Sequence, residues 1–191
     1  QTYTNWEIIF WDNQSIDRSA SIVKSYSDVR IKYHYAPTHT LLYEARNFAF
    51  AKTSGEFIAF LDVDDLWLPE KLERQIPLFN DHDVGFSCAN YWIDDQVKKK
   101  RWVACQKPIS SGRVLDAQLN NYTVGLLTLI VRRTALPPNR LPFNSRYHLI
   151  GDFDLVIQLA ALWKLASIQD PLGVYRMHGN NESAKHRKLG N

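Results

Sequence analysis

Cysteine is nearly missing from this chain of 191 residues: Cys88 and Cys105 are the only two. They have neither zinc nor redox spacing and make no disulfide framework, so a reducing, cytosolic setting is the simpler expectation. No apolar run reaches the length of a membrane span, and the opening residues do not read as a signal peptide. A glycine-rich loop of the kind that cradles a triphosphate is absent, as are internal repeats and low-complexity linkers. Charge of one sign is lacking too. With 23 basic and 20 acidic residues the net charge is +3, too balanced to imply nucleic-acid binding, and the one basic run, Lys98 to Arg101, reads as a solvated loop tip. Sequons at Asn13, Asn121 and Asn181 are tripeptides that arise often by chance.

What is present is core-forming material. A content of 45% hydrophobic and 13% aromatic residues suffices for one domain with a real core. The pattern alternates along the chain. "WEIIFWD" (6–12) is an apolar run, "DRSASIVKSY" (17–26) has helical spacing, and "RIKYHYA" (30–36) alternates like a strand, which together make a βαβ signature. Leu41, Leu42, Ala45, Phe48 and Ala49 fall on one face of a helix that Thr40 would cap and Gly55 would end. "EFIAFLD" follows as a strand, then "EKLERQIPLF" as a helix opened by Pro69 and disturbed by Pro77. "VGFSCANYW" (84–92) and "LLTLIVRR" (126–133) read as strands. "DFDLVIQLAALWKLA" (152–166), apolar nearly all round, reads as a buried helix, and "SIQDPLGVYRMHG" as a strand or loop. The expected class is α/β: a mostly parallel nucleotide-binding sheet flanked by helices, with a mixed α+β second half.

In an open parallel sheet, ligands gather outside the carboxyl ends of the strands. Two expected strands end there in acids, one at Asp12 and the other at Asp62, Asp64 and Asp65 in "FIAFLDVDD". Clustered carboxylates repel one another, and they persist at low cost where a hard divalent cation sits among them. Mg2+ or Mn2+ prefers oxygen ligands and keeps substrate phosphates in its shell, which points to a nucleotide. Such acids also cap helices, and Asp65 is the one best placed to do only that.

The blocks "NWEIIFWDNQSIDRS", "ARNFAFAKTSGEFIAFLDVDDLWLPEKLERQI" and "IGDFDLVIQLA" together resemble the nucleotide-sugar glycosyltransferases of family two, which have the A-type (SpsA-like) fold. The middle block is the most specific, with Ala45-Arg46-Asn47, Gly55-Glu56 and Leu61 to Asp65 in the family's order and spacing. The resemblance implies inverting transfer of a sugar from a nucleoside diphosphate donor to a hydroxyl of a glycan or lipid-linked acceptor. It implies that Asp12 binds the nucleobase, Arg46 contacts the nucleotide, Asp62 approaches the ribose, and Asp64 holds the Mn2+ or Mg2+ that bridges the phosphates.

The same resemblance places Asp152 at the acid of the family's Glu-Asp motif. There it would take the proton of the attacking hydroxyl, at the start of a helix on the acceptor side. Gly151 stands where the family has the glutamate, and Asp154 lies two residues on, so the choice between the two aspartates stays open. "YRMHGNNES" resembles the family's closing Tyr-Arg-x-His segment, in which Arg176 would pair with phosphate oxygens and His178 would complete the metal shell or bind the diphosphate. Trp67, Trp92, Trp102 and Trp163 read as core or rim rather than sugar platforms, Trp67 alone following the acids closely enough to be watched as one.

On this reading residues 1–92 bind the nucleotide sugar, and 93–191 form the acceptor and catalytic-base part of the same domain. Family members open with a strand and helix before the segment that begins here at Gln1, so a central strand position is expected to be empty, with edges that invite self-association. The expected location is cytoplasmic, at the inner face of a membrane. Two alternatives remain: a noncatalytic nucleotide-binding remnant and a nucleotidyltransferase.

Overall fold

The computed structural model describes residues 1–137, 140–179 and 181. The chain forms β1 (Ile8–Asp12), α1 (Ser19–Lys24), β2 (Ile31–Tyr35), α2 (Leu42–Phe50), β3 (Phe57–Ala59), β4 (Leu66–Trp67), α3 (Lys71–Gln75), β5 (Val84–Asp95), β6 (Lys100–Val103), α4 (Leu115–Asn120), β7 (Ile130–Arg132), α5 (Gly151–Leu162) and β8 (Lys164–Met177). A 3-10 turn over Ile76–Asn80 continues α3. It begins where Pro77, lacking an N–H, breaks the α-helical ladder.

The class is α/β as expected, but the sheet is mixed rather than mostly parallel. β1 and β2 pair in parallel as a two-stranded sheet, joined through α1. The remaining strands form a six-stranded sheet in the order β3-β7-β5-β8-β4, with β6 added alongside β5. Within it only β5 and β8 run parallel; the β3–β7, β4–β8, β5–β6 and β5–β7 pairs are antiparallel. The strand "FIA", expected inside a parallel sheet, thus ends the larger sheet and pairs antiparallel with β7. A short apolar run reports burial of both faces and says nothing about strand direction, which is why the sequence misleads here. β5 and β8 come from opposite halves of the chain and form the longest pairing, which ties both halves into one sheet.

Glu7 links the two sheets. Its Oε2 accepts from Lys32 Nζ of β2 at 2.6 Å, while Oε1 accepts the Ser54 N–H at 2.6 Å and the Ser54 hydroxyl at 2.8 Å, just before β3. The larger core lies between the six-stranded sheet and the helices α2 and α5. Phe86, Cys88, Leu129, Val131 and Leu165 of the sheet region meet Tyr43, Leu155, Val156 and Leu159 there. Each such side chain contributes on the order of 1.5–3 kcal/mol by leaving water. A smaller cluster of Leu72, Phe79, Val84 and Ile130 packs on the opposite face.

Four local expectations change. α2 buries Tyr43, Ala45 and Asn47, whereas Leu41, Leu42 and Phe48 stay exposed. Tyr43 and Asn47 go inward because their polar ends find partners there. Thr40 does not cap α2; its backbone is held by Asn13, whose side chain donates to Thr40 O at 2.8 Å and accepts from Thr40 N at 3.2 Å. α5 is buried on one face only, through Leu155, Val156, Leu159 and Ala160, and it ends at Leu162, which is exposed. The strand expected over 126–133 shortens to Ile130–Arg132, preceded by a 3-10 turn at Leu126–Thr128. The basic run does form an exposed tip, between β5 and β6, with Lys99 in the left-handed region at φ 53°.

Candidate active site

The chain leaves β3 at Ala59 and enters an acidic loop before β4. Five of the expected site residues meet there: Arg46, Asp62, Asp64, Arg176 and His178. Arg46, projecting from α2, places Nη2 2.6 Å from Asp62 Oδ1 and 2.8 Å from Oδ2. With the Asp62 side chain half exposed, the pair contributes at most about 1 kcal/mol to stability. Its consequence is geometric, since the guanidinium is held at the loop.

Asp64 faces the end of β8. His178 Nε2 lies 3.1 Å from Asp64 Oδ2, and Asn181 Nδ2 donates to the same oxygen at 3.2 Å. Asn181 also donates to Arg176 O and accepts the His178 N–H, so one asparagine closes the turn that presents the imidazole. Its sequon is therefore taken up by the fold: the side chain is buried and bonded. Arg176 donates from Nε to the Asp64 carbonyl, and its N–H bonds Asp65 Oδ1 at 3.1 Å. It fastens β8 to the acidic loop.

Asp65 is buried and does not cap a helix, because α3 begins at Lys71 with Glu70 before it. Loss of water pushes its carboxyl up to about 7, reinforced by the neighbouring Asp64 and Asp62 charges and opposed by the Arg176 N–H. Trp67 is anchored in the fold. Its indole N–H donates to Leu127 O at 2.6 Å, and Lys71 Nζ sits 4.1 Å from its ring centre.

Among the described residues no group of three or more His, Cys, Asp or Glu side chains converges as a metal cage. Asp64 and His178 offer one carboxylate oxygen and one imidazole nitrogen on the same spot. That donor set fits Mg2+ or Mn2+, which bind through one or two protein groups and complete their shell with phosphates and water.

Asp12 stands at the end of β1 with both oxygens engaged: Tyr33 Oη donates to Oδ2 at 2.6 Å and the Ser15 N–H to Oδ1 at 2.7 Å. Burial alone would raise its pKa, but these donors outweigh that and leave the carboxyl below its ordinary value. Tyr33 is pushed up to about 12 by the same bond. Asp12 sits on the two-stranded sheet, beside the Asn13–Thr40 clamp that leads into α2.

Asp152 lies in the first turn of α5, and its Oδ1 is 3.4 Å from Tyr43 Oη of α2. Its charge helps raise the pKa of two further, partly buried phenols, Tyr91 and Tyr122, although loss of water is the larger cause in both. Asp154 points elsewhere on the helix and accepts from Gln158 Nε2 at 2.7 Å, an i,i+4 pair. Of the two aspartates, only Asp152 faces the tyrosines. Asn47 holds the segment before α5 by accepting the Phe143 N–H at 3.1 Å and donating to Phe143 O at 2.7 Å. Tyr43, Tyr91, Tyr122 and Asn181 escaped sequence reasoning. Asn47 lay in the Ala-Arg-Asn block, but nothing local marked it as a clamp.

Residues 1–136 match the domain described as Glycosyl transferase family 2. This chain belongs to that family. Over 144 residues the family 2 chain is 38% identical to the Escherichia coli protein WfgD, a UDP-Glc:alpha-D-GlcNAc-diphosphoundecaprenol beta-1,3-glucosyltransferase, covering 75% of this chain and 55% of that protein. It is 28% identical over 191 residues to TuaG of Bacillus subtilis, a putative teichuronic acid biosynthesis glycosyltransferase, covering 96% and 72%. Among solved structures, residues 1–349 of S. aureus TarS in complex with UDP superpose with a TM-score of 0.71 at 18% identity, covering 91% of this chain and 52% of that one. That likeness shows the fold. The family 2 chain thus spans about half the length of WfgD and of the TarS structure. No helix among its described residues is long and apolar enough to cross a membrane.

Proposed function

We propose that this family 2 domain takes part in cell-surface polysaccharide synthesis as a metal-dependent, inverting glycosyltransferase. It passes a sugar from a UDP donor to a hydroxyl of a lipid-linked glycan at the inner face of a membrane. The observation that carries this reading is the convergence of Arg46, Asp62, Asp64 and His178 on one loop, with Asp152 as the carboxylate that meets the buried Tyr43. WfgD, the relative at 38% identity, acts on a UDP-sugar and a diphosphate-linked lipid acceptor, which supports the choice of donor and acceptor.

In this reading Asp12 lies at the nucleobase end of the donor, and Arg46 and Asp62 contact the nucleotide. Asp64 and His178 would hold Mn2+ or Mg2+ where the donor's diphosphate binds, and Arg176 steadies the loop that carries Asp64. The bound cation would neutralise charge on the departing diphosphate. Asp152 accepts the proton of the acceptor hydroxyl as that oxygen bonds to the anomeric carbon. The bond from the anomeric carbon to the donor phosphate oxygen breaks, its electron pair leaves with UDP, and attack from the opposite face inverts the centre.

The test uses the full-length protein with UDP-glucose, Mn2+ and a synthetic GlcNAc-diphosphate lipid, with product linkage read by NMR. A β-linked disaccharide from the α-linked donor is expected, and Asp152→Asn should abolish it while UDP still binds. An α-linked product would refute inversion. Normal turnover by the Asp152→Asn protein would remove this aspartate from the role of base.

A further inference from the structure

Tyr43 and Gly151 are fitted to each other. A Cβ built on Gly151 would lie 2.7 Å from three atoms of the Tyr43 ring, Cε1, Cε2 and Cζ, which is far inside contact distance. Three equal distances mean that the first residue of α5 presents its bare α-carbon to the ring, so no side chain fits at 151 while Tyr43 stands there. The ring is fixed from the other side as well. It stacks on Phe143 at 5.3 Å between centres, 22° from parallel, and Phe143 is in turn held by both ends of the Asn47 amide. With 3% of its surface exposed, Tyr43 places its hydroxyl at the start of α5, where the backbone N–H groups of Gly151 and Asp152 face its oxygen and Asp152 Oδ1 lies 3.4 Å away.

We infer that Tyr43 is the positioning residue for Asp152: its hydroxyl, brought from α2, fixes the direction of the carboxyl, and glycine at 151 is what admits it. This rests on the reading of Asp152 as the base. The argument is mechanical. A carboxyl at the start of a helix turns freely about two side-chain bonds, and a base delivers its rate only when its oxygen is held on the path of the proton. Tyr43 donates to Oδ1, leaving Oδ2 to take the acceptor proton. The 3.4 Å separation is loose for an O–H to carboxylate bond, as such bonds commonly are before substrate binds, and it shortens in the loaded complex. Loss of water and the Asp152 charge raise the Tyr43 pKa and outweigh the opposing pull of the Gly151 and Asp152 N–H groups and of Arg46, so the phenol keeps its proton and remains a donor.

Two measurements test this. In Tyr43→Phe the ring stays on Gly151 and Phe143 and only the hydroxyl is lost. With UDP-glucose and the GlcNAc-diphosphate lipid, kcat should fall about tenfold, the loss expected for one hydrogen bond to a charged group. Acceptor KM and UDP affinity should hold, whereas Tm should fall slightly as the Gly151 and Asp152 N–H groups lose their acceptor. Unchanged kcat in Tyr43→Phe, with Asp152→Asn inactive, refutes positioning by Tyr43 and leaves the base intact. Normal turnover by Asp152→Asn instead strikes the underlying reading. The second measurement needs no activity. Gly151→Ala should lower Tm in the native background although alanine favours helix over glycine, and the same change in a Tyr43→Leu background should raise it. Equal effects of Gly151→Ala in both backgrounds would overturn the fitted pair.

Discussion

His178 Nε2 and Asp64 Oδ2 lie 3.1 Å apart although 114 residues separate them in the chain. Their meeting depends on β8, whose parallel pairing with β5 reaches Met177, the residue before His178. Arg176 then locks strand to loop through the Asp64 carbonyl and the Asp65 carboxyl. On the proposed metal-binding role of Asp64, Asp64→Ala should remove the Mn2+-dependent part of UDP affinity, a loss of about tenfold or more. Calorimetric titration of UDP with and without Mn2+ checks this; a metal response equal to the native one would count against Asp64.

Arg46 meets Asp62 through a single nitrogen that reaches both carboxylate oxygens. A guanidinium can hold that carboxylate and still present its other nitrogens to a nucleotide, whereas an ammonium is a point charge. Arg46→Lys should therefore weaken UDP binding roughly fivefold to tenfold while shifting Tm little, since an ion pair of this exposure adds little stability. A lysine variant that binds UDP as tightly as the native protein would show that charge alone suffices.

The bonds of Glu7 make the junction between the sheets sensitive to acid. The Lys32 side chain is the largest cause of its lowered pKa, followed by the Ser54 N–H, and together they bring the carboxyl down to about 2. A carboxyl depressed in the folded state stabilises the fold above its ordinary value of 4.5, and that contribution fades as pH falls from there toward 2. Glu7→Gln should cost on the order of 1–2 kcal/mol at pH 7 and nothing near pH 2. Urea titrations across that range read the difference, and a constant cost would deny the link.

The local order of β1, α1 and β2 was legible because a 3.6-residue period between two extended runs is a short-range signal. The acids Asp62 and Asp64 were legible because they interrupt an apolar strand. What stayed hidden was set by distant partners. Nothing near Asn181 announces that it bonds Asp64, and nothing near Gly151 announces a tyrosine 108 positions earlier in the numbering, with 109 residues separating Tyr43 from Asp152. The direction of β3 was hidden for the same reason, since its partner β7 lies far along the chain. Leu42 and Phe48 misled because hydrophobicity marks a buried face only where another element covers it.

Lys71 is fully buried, and its Nζ makes no hydrogen bond among the described residues; only the Trp67 ring lies beneath it. Burial lowers its pKa to about 7, so near neutrality the folded protein holds an amine on the edge of losing its proton, while the unfolded chain keeps that proton up to the ordinary 10.5. Between these values the unfolded state binds more protons, and stability should rise with pH by at most roughly 1.4 kcal/mol per unit; below pH 7 both states are charged and the penalty is complete. Lys71→Met keeps the length of the side chain and removes the charge. It should stabilise the protein at pH 7 by on the order of 1–2 kcal/mol, and the rise between pH 7 and 10 should flatten in thermal melts. If the methionine variant melts lower than the native protein at pH 7, or keeps the same slope, the amine is held by a partner rather than stranded against Trp67.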